Sequence, residues 1–311
     1  MKRVLVTGAT GFVGRHSLRQ LVDRSYEVHA AVRQPPALGF PAGITWYTAD
    51  LLEPRIASAL IEAVRPSHLL HFAWYTEHGK FWEAPVNIDW VEATLRLTRA
   101  FATAGGTRAV LAGSCAEYDL AHGFCSDALT PLRPASLYGT SKLAVHTVLA
   151  GAADRLGFSH AWGRVFFLYG PHEHPTRLVS SVIRSLLLGE PAACSHGGQF
   201  RDFLHTEDVA AAFVHLLDSD VQGPINIASG VPVSIRSLVT KLAGMVGRPD
   251  LLRLGAVPVS PDEPPMIVAD VRRLEKEVGW QPQWSLESGL QATLEWWQQE
   301  LFAGGSTEKL A

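Results

Sequence analysis

The chain has 311 residues, of which 47% are hydrophobic and 18% are charged, and its formal net charge at pH 7 is −3. This composition can fill a full core and excludes an intrinsically disordered chain. No run of five or more basic residues occurs, which argues against a nucleic-acid surface. No apolar stretch reaches about 18 residues, so no transmembrane helix is predicted.

The cysteines and histidines exclude further classes of protein. The three cysteines are Cys115, Cys125 and Cys194. Their number is odd and no CxxC spacing occurs, so neither a disulfide framework nor a zinc site is predicted. His172 and His174 flank Glu173, but no HExxH motif accompanies them, and we expect no bound metal. Residues 1–6 contain too short an apolar run for a signal peptide, which makes the cytoplasm the expected location.

The first half of the chain alternates short apolar runs with amphipathic stretches. Buried strands are predicted at Val4–Val6, Glu27–Val32, Leu69–Phe72, Arg108–Ala112 and Ala161–Phe167. Helices are predicted between them at Gly14–Arg24, Arg55–Val64, Trp90–Ala104 and Ser141–Arg155. Such alternation is typical of a parallel sheet with right-handed crossovers.

After about residue 170 proline and glycine become frequent and the rhythm changes. Helices are predicted at Arg177–Leu188, Asp208–Leu217 and Ile235–Val246. A proline-rich loop follows, Asp270 is predicted to be the N-cap of the next helix, and a helix containing Trp296 and Trp297 comes last. These elements indicate a smaller lobe interleaved with the last strands. The polar, glycine-rich residues 304–311 are predicted to form a flexible tail.

A glycine-rich loop, Thr7-Gly8-Ala9-Thr10-Gly11-Phe12-Val13-Gly14, joins the first strand to the first helix. Gly8 permits a tight turn, Gly11 lets the backbone approach a pyrophosphate, and Gly14 lets the helix pack closely on the strand. The start of the helix then offers free N–H groups to phosphate oxygens. Because the loop stands between a strand and a helix, it predicts a dinucleotide site.

The GxxGxxG spacing resembles that of the extended short-chain dehydrogenase/reductase family, which holds nucleotide-sugar epimerases, dehydratases and reductases. The resemblance implies an α/β fold, namely a Rossmann doubly wound parallel sheet with a smaller C-terminal substrate-binding lobe. Residues 1–170 would form the NAD(P)-binding domain, with some later segments returning to it, and residues 171–303 mainly the substrate-binding lobe. A homodimer is also implied. The loop residues expected to contact the cofactor are Gly8, Gly11, Phe12, Val13 and Gly14.

The end of the second strand predicts which nicotinamide cofactor is used. An NAD site places a carboxylate there to hold the ribose 2′-hydroxyl, but Val32 has that position and Arg33 follows. A guanidinium suits a 2′-phosphate, so NADP(H) is preferred over NAD, while a merely solvated Arg33 is the simpler alternative. By resemblance, the further cofactor contacts are Asp50, Leu51, Phe72 and Ala73.

The segment Tyr138-Gly139-Thr140-Ser141-Lys142 carries the predicted chemistry. Tyrosine and lysine four residues apart share one face of a helix, and a cation beside a phenol lowers the pKa of that phenol. Tyr138 is therefore predicted to exchange a proton with a carbonyl or alcohol oxygen near neutral pH. By resemblance, Tyr138 and Lys142 also contact the cofactor, and Ser114 completes a catalytic trio by hydrogen-bonding the substrate oxygen.

The residues after Ser114 argue against one of the activities found in the resembled family. The 4,6-dehydratases of the resembled family carry Asp-Glu there, whereas this chain has Cys115 and Ala116, so elimination of water is disfavoured. Cys115 is predicted to be a packed, inert thiol. The resembled family has an asparagine in the helix after the fourth strand, and Trp90 stands at that position here. Asn87 lies one turn earlier and is a candidate to replace it, a question that the sequence leaves open.

The resemblance also implies contacts with a substrate. Phe167 replaces an asparagine that touches a substrate diphosphate, and an arginine expected near Pro261 is missing. Arg201 resembles the clamp of that diphosphate, with a plain Arg201–Asp202 ion pair as the alternative. The predicted substrate-binding residues are Trp74, Ser114, Cys115, Phe167, Arg177 and Arg201.

Together these motifs predict an oxidoreductase whose partner is a small molecule. The leading hypothesis is an NADPH-dependent reductase that transfers hydride to the C4 carbonyl of a nucleoside-diphosphate 4-keto-6-deoxyhexose, with Tyr138 as proton donor. The alternatives are a nucleotide-sugar 4-epimerase with tightly bound NAD and a reductase of a non-sugar carbonyl. A non-catalytic, cofactor-sensing protein is disfavoured because the Tyr138 and Lys142 pair is intact.

Overall fold

A computed structural model describes residues 2–36 and 39–302, so the predicted tail at residues 304–311 lies outside the described residues. The strands are β1 (Arg3–Thr7), β2 (Glu27–Val32), β3 (Ile44–Thr48), β4 (His68–His71), β5 (Arg108–Ser114), β6 (Phe124–Cys125), β7 (Ser159–Val165), β8 (Phe167–Tyr169), β9 (Ala192–Ala193), β10 (Phe200–His205), β11 (Gly223–Ile227), β12 (Pro232–Ser234), β13 (Leu252–Arg253) and β14 (Met266–Ala269).

The helices are α1 (Gly14–Asp23), α2 (Ile56–Val64), α3 (Val86–Thr103), α4 (Leu137–Leu156), α5 (Leu178–Leu187), α6 (Thr206–Asp218), α7 (Ile235–Val246), α8 (Arg272–Lys276) and α9 (Leu286–Phe302). Among the helices of this described part, none is both long and apolar enough to cross a membrane.

Seven parallel strands form the main sheet in the order β11-β7-β5-β4-β1-β2-β3. Apolar side chains of α1 and α6 cover one face, and those of α2, α3 and α4 cover the other. The strand order reverses at β1 and β4, and a doubly wound sheet binds ligands in the crevice beyond the carboxyl ends of such strands. The predicted Rossmann fold is confirmed.

A second sheet combines β6 with strands from the later part of the chain. Its order is β12-β10-β14-β6, and β8 pairs with β10. Helices α5, α7 and α9 bury their apolar faces together beside this sheet. The strand β11 and the helix α6 belong to the main sheet instead, so the chain returns to the first layer after the second sheet has begun.

Two predicted helices begin one turn earlier than their apolar pattern indicated. Helix α4 begins at Leu137 rather than at Ser141, because the hydroxyl of Ser136 accepts the backbone N–H of Gly139 at 3.1 Å and caps the helix. Helix α3 begins at Val86 rather than at Trp90, directly after Pro85, whose ring fixes a helix-compatible φ of −56°. The first of these corrections brings Tyr138 into the helix.

Two further predictions about local structure were wrong in detail. The single strand predicted at Ala161–Phe167 is two strands, because the chain leaves the main sheet after Val165 and β8 joins the second sheet. The N-cap of α8 is Val271 rather than Asp270. The carboxylate of Asp270 nonetheless accepts the backbone N–H of Arg272 at 3.1 Å, so it still satisfies one free donor of the helix start.

Glycine at position 14 is a packing requirement that can be tested. A Cβ at Gly14 would overlap the carbonyl oxygen of Gly8, so we expect Gly14→Ala to lower the free energy of unfolding by about 1–3 kcal/mol. Gly151 in α4 is the matched control, because a Cβ there would meet no atom within 4 Å. Gly151→Ala should stabilise by up to about 1 kcal/mol. Urea unfolding measures both, and equal effects of the two variants would refute the packing argument.

Candidate functional site

The glycine loop lies at the carboxyl end of β1 and packs against the end of β4. Gly8 has a φ of 68°, and a Cβ there would lie 2.7 Å from the backbone nitrogen of Ala73. The hydroxyl of Thr206, at the start of α6, donates to the carbonyl oxygen of Phe12 at 3.0 Å. These contacts fix a side-chain-free cradle at the start of α1, as a dinucleotide pyrophosphate requires.

A cavity of about 630 Å³ opens beyond the carboxyl end of β2. Its lining residues are Thr10, Arg15, Arg33, Gln34, Pro35, Pro36 and Phe40. The guanidinium of Arg15 lies 5.4 Å from the centre of the Phe40 ring, and the exposed Arg33 lines the same cavity. The lining residues carry two guanidinium groups and no carboxylate, which suits an anionic ligand. Arg15 was missed in the sequence analysis, although it directly follows Gly14.

The other predicted cofactor contacts lie at the ends of the neighbouring strands. Asp50 is exposed after β3, and its carboxylate accepts the backbone N–H of Leu52 at 3.0 Å. Leu51 is buried beside it. Phe72 follows β4 and packs edge-to-face on Phe213 with the ring centres 4.9 Å apart. All of them border the edge of the sheet at which the glycine loop lies.

Tyr138 and Lys142 lie one turn apart at the start of α4, and both are nearly buried, with 9% and 3% of their surface exposed. The ammonium of Lys142 donates to the carbonyl oxygen of Ala112 in β5 at 2.8 Å and lies 5.9 Å from the centre of the Tyr138 ring. Ser114, the last residue of β5, lies close enough to the Tyr138 phenol for its side chain to lower the pKa of that phenol. The structure therefore brings the three predicted catalytic residues together.

The protonation of this trio differs from the expectation. Burial raises the pKa of Tyr138 above its usual value of 10, and the nearby Ser114 side chain offsets this only in part. The expected lowering by Lys142 was wrong, because Lys142 is itself desolvated and burial lowers its pKa from 10.5 to about 7. Near neutral pH the phenol therefore keeps its proton and is suited to donate it.

Trp74 forms an aromatic platform for Lys142. The ammonium lies 3.8 Å from the centre of the Trp74 ring, a distance at which the π face attracts a cation. The indole N–H donates to the side-chain oxygen of Asn87 at 2.8 Å, and Trp90 stacks on Trp74 with the ring centres 6.0 Å apart. The Asn87 amide donates to the carbonyl oxygens of Phe81 and Ala84 at 2.7 and 2.9 Å. Asn87 thus supports Trp74 through contacts that the sequence did not predict.

The turn Cys115–Glu117 connects Ser114 to the rest of the site. The hydroxyl of Ser114 accepts the backbone N–H of Ala116 at 3.2 Å, and its backbone N–H donates to the carboxylate of Glu117 at 2.8 Å. A Cβ at Gly139 would overlap the carbonyl oxygen of Ala116, so α4 rests directly on this turn. This close contact between Gly139 and Ala116 fixes the position of Tyr138 relative to Ser114.

Cys115 lies next to the catalytic trio in a largely apolar cluster with Tyr118, Cys125 and Phe166. Burial raises the pKa of its thiol to about 12, so the thiolate is suppressed at neutral pH. This agrees with the predicted inert thiol.

Arg201 is buried, and its guanidinium is held by the proline-rich loop before β14. It donates to the carboxylate of Glu263 at 2.7 Å and to the carbonyl oxygens of Phe200 and Pro264 at 2.8 and 3.0 Å. Its guanidinium lies 5.4 Å from the centre of the Phe167 ring. Arg201 is also close enough to Cys115 for its charge to lower the pKa of that thiol. It therefore lies between the predicted substrate residues.

The alternative Arg201–Asp202 ion pair is not the pair that forms. The carboxylate of Asp202 instead accepts the backbone N–H groups of Ser229, Gly230 and Ala269 at 2.8, 2.9 and 3.1 Å. Asp202 thus joins β10 to β14 and to the segment after β11, while Glu263 takes the guanidinium of Arg201.

Arg177 precedes α5 at the entrance to the same region. Its positive charge lowers the pKa of Tyr138, so the guanidinium lies within electrostatic reach of the phenol. The rings of His78 and His174 stack nearby with their centres 5.4 Å apart. In the described ranges 2–36 and 39–302, no three histidine, cysteine, aspartate or glutamate side chains form a group that could hold a metal ion.

The glycine cradle, the sheet order and the paired tyrosine and lysine agree with a comparison to known families. The model of the NAD dependent epimerase/dehydratase family matches residues 4–228, which is more than half of the chain. The chain belongs to this family. The resemblance to nucleotide-sugar enzymes noted in the sequence is thereby confirmed.

Members of the epimerase/dehydratase family resemble this chain over nearly its whole length. The dTDP-D-glucose 4,6-dehydratase of Mus musculus is 25% identical over 99% of this chain and 92% of its own length. The UDP-glucose 4-epimerase of Streptomyces lividans is 25% identical over 90% of this chain and 91% of its own. The solved structure of MoeE5 with UDP-glucose and NAD is 30% identical, with a TM-score of 0.80 over 96% of this chain and 99% of MoeE5.

The aromatic platform predicts a specific electrostatic effect. An aromatic face stabilises a neighbouring cation by about 0.5–2 kcal/mol, so Trp74→Leu should lower the pKa of Lys142 by about 0.5–1.5 units. NMR of 13Cε-labelled lysine measures this, with the Lys142 resonance assigned by its loss in Lys142→Arg. Trp296→Leu is the control, because Trp296 packs on His172 and Trp297 instead. An unchanged Lys142 titration in Trp74→Leu would refute the platform.

Proposed function

We propose that this chain is an NADPH-dependent reductase of a nucleoside-diphosphate 4-keto-6-deoxyhexose. The observation that carries the cofactor preference is the pair of guanidinium groups, Arg15 and Arg33, at the end of β2. An NAD site of this fold uses a carboxylate at that place, whereas a 2′-phosphate needs cationic, bidentate donors. Gly8 and Gly14 have no side chains, so the loop can accommodate the pyrophosphate of the same molecule.

The catalytic part of the proposal follows from the protonation of the trio. When bound, NADPH supplies a hydride to the carbonyl carbon. The residues of this chain hydrogen-bond and protonate the carbonyl oxygen. Tyr138, whose raised pKa keeps it protonated, donates its proton to the carbonyl oxygen as that oxygen becomes an alcohol. Ser114 donates a hydrogen bond to the same oxygen, and the ammonium of Lys142 stabilises the phenolate that Tyr138 leaves behind.

A nucleotide sugar is supported as the substrate by one relative and by the second lobe. MoeE5, at 30% identity, is solved with UDP-glucose. In this chain two guanidinium groups lie near the predicted site. Arg201 is close enough to Cys115, and Arg177 to Tyr138, to lower the pKa of each. Guanidinium groups hold phosphate oxygens well, and remote binding energy of this kind aligns the reacting carbon. Phe167, which replaces the expected asparagine, offers its ring to Arg201.

Elimination of water is not proposed for this chain, although a dehydratase is among its relatives. The residues after Ser114 are Cys115, with its suppressed thiolate, and Ala116. The carboxylate of that turn, Glu117, is fully buried and paired with Arg164 at 2.8 Å. It is therefore not placed to exchange protons with a sugar carbon.

The second candidate is a nucleotide-sugar 4-epimerase that retains NAD. It is supported by MoeE5, which is solved with NAD. The same trio would then remove the proton of the sugar alcohol. It would return the proton after the keto sugar has rotated to present its other face to the cofactor. The reductase consumes NADPH from solution, whereas the epimerase keeps its cofactor, so the two candidates differ in a measurable way.

We also infer a cytoplasmic homodimer with residues 1–170 as the cofactor domain, residues 171–303 mainly as the substrate lobe, and a contact between copies through α3 and α4. Exposed Val148 and Leu156 of α4 line a shallow groove with Leu95 of α3. Apolar side chains at such a groove favour association.

The cofactor preference can be tested at the two arginines. The double variant Arg15→Ala and Arg33→Ala should raise the KM for NADPH by about 100-fold or more, because two charged hydrogen bonds of about 1.5–3 kcal/mol each are lost. The KM for NADH should change by less than about 3-fold. Arg19→Ala is the control, because Arg19 is exposed on α1 and does not line the cavity. Equal losses with both cofactors would contradict the assignment.

The reaction itself is tested by following NADPH absorbance. The purified protein is mixed with NADPH or NADH and a panel of dTDP-, GDP- and CDP-linked 4-keto-6-deoxyhexoses. Oxidation of NADPH by one of these sugars, with little oxidation of NADH and none by Tyr138→Phe protein, is the expected result. Absence of oxidation with every sugar, together with release of NAD from denatured protein, would replace the reductase with the epimerase.

A further inference from the structure

A buried ion pair lies directly beneath the catalytic trio and has no role in the proposed reaction. Glu117 and Arg164 have side chains that are 0% and 1% exposed, and they meet at 2.8 Å. A fully buried ion pair contributes little net stability compared with apolar side chains of the same volume. Its contacts point to another use.

The carboxylate of Glu117 holds the strand end that presents Ser114. One oxygen accepts the backbone N–H of Ser114 at 2.8 Å and the indole N–H of Trp162 at 2.9 Å. The other accepts from the guanidinium of Arg164. Gly113 is required between them, because a Cβ there would lie 2.6 Å from Glu117 and would overlap the indole of Trp162.

Arg164 extends this anchor across the sheet. Its guanidinium donates to the phenol oxygen of Tyr118 at 3.1 Å and contacts His146, one turn beyond Lys142 in α4, at 3.3 Å. The phenol of Tyr118 donates to Asn226 of β11 at 2.7 Å. The network therefore ties the ends of β5, β7 and β11 to the helix that carries Tyr138 and Lys142.

We propose that Glu117 is a positioning residue of the catalytic site, which fixes Ser114 through its backbone N–H and places a buried negative charge beside the strand end that Lys142 contacts. The proposal rests on the proposed function for the role of the trio. The placement of Glu117 and its charge can be measured without turnover.

The charge part of the proposal depends on the groups that face Lys142. These are Glu117 from the turn after β5, His71 from β4 and Tyr138 from α4. Burial lowers the pKa of His71 to about 3, so His71 is neutral in the working range, and Tyr138 is protonated there. Glu117 supports the ammonium, since its negative charge raises the pKa of Lys142 against the effect of burial.

The first test is Glu117→Gln, which keeps the length and an acceptor but removes the charge. Lys142 should then lose its proton at a pH lower by about one unit, because the anion is gone and the Arg164 cation stays buried nearby. The kcat should fall by about 10- to 100-fold with a KM change under about 3-fold. The alkaline limb of the kcat profile should move to lower pH. Glu287→Gln is the matched control, since the exposed Glu287 of α9 pairs with Lys241.

A second variant separates positioning from stability, because one buried partner left alone destabilises the fold strongly. The double variant Glu117→Met and Arg164→Met removes both charges and should unfold at a higher temperature than either single variant, because no buried charge is left without its partner. It lacks the acceptor for the Ser114 N–H, so its kcat should stay at least about 10-fold low. Recovery of the native kcat and pH profile by this variant would overturn the proposal and leave the ion pair a structural contact.

The titration of Lys142, read by 13Cε-lysine NMR, distinguishes failure of this inference from failure of the proposed function. If no sugar is turned over by the native protein, a shifted Lys142 titration in Glu117→Gln still supports the role of the charge. An unshifted titration in folded Glu117→Gln overturns that role whether or not the protein is a reductase.

Discussion

The hydrogen bond from the Lys142 ammonium to the carbonyl oxygen of Ala112 places a cation where water is nearly excluded, and much of the surrounding structure serves that placement. A lone buried ammonium loses its hydration and would shed its proton. The indole of Trp74 and the carboxylate of Glu117 act against this loss from two sides. Asn87 and Trp90 orient the indole, and Arg164 and Trp162 orient the carboxylate. The site is therefore built around a charge that is only marginally retained near neutral pH.

The sequence was most informative where backbone geometry alone requires a residue. Glycine at positions 8 and 14 and the spacing of Tyr138 and Lys142 report constraints that act within a few residues, so the cradle and the pairing of Tyr138 with Lys142 could be predicted. The place of Ser114 beside them was implied by the family resemblance. The parallel sheet followed from the alternation of strands and helices, and its doubly wound form was implied by the family resemblance. The start of α4 was misplaced because Ser136, a capping residue, lies outside the apolar pattern.

What could not be predicted depends on contacts between residues far apart in the chain. The sequence shows Glu117 and Arg164 as two isolated charges, and only the neighbouring position of β5 and β7 makes them a pair. Arg201 likewise has its partner 62 residues later, in Glu263, while the adjacent Asp202 binds backbone elsewhere. The protonation of Tyr138 was misjudged for the same reason, since burial is a property of the whole assembly.

The ion pair between Arg201 and Glu263 has a consequence for the thermodynamics of ligand binding. Because the guanidinium already has an anionic partner, a ligand that takes Arg201 exchanges one anion for another. A neutral sugar would not replace the negative charge of the displaced Glu263 carboxylate beside Arg201. A diphosphate would place more negative charge there than the carboxylate did. The exchange frees Glu263 and the proline-rich loop that carries it, so ligand charge and loop position are thermodynamically linked. A ligand that bound Arg201 would therefore compete with the Glu263 carboxylate, and so would salt anions in solution.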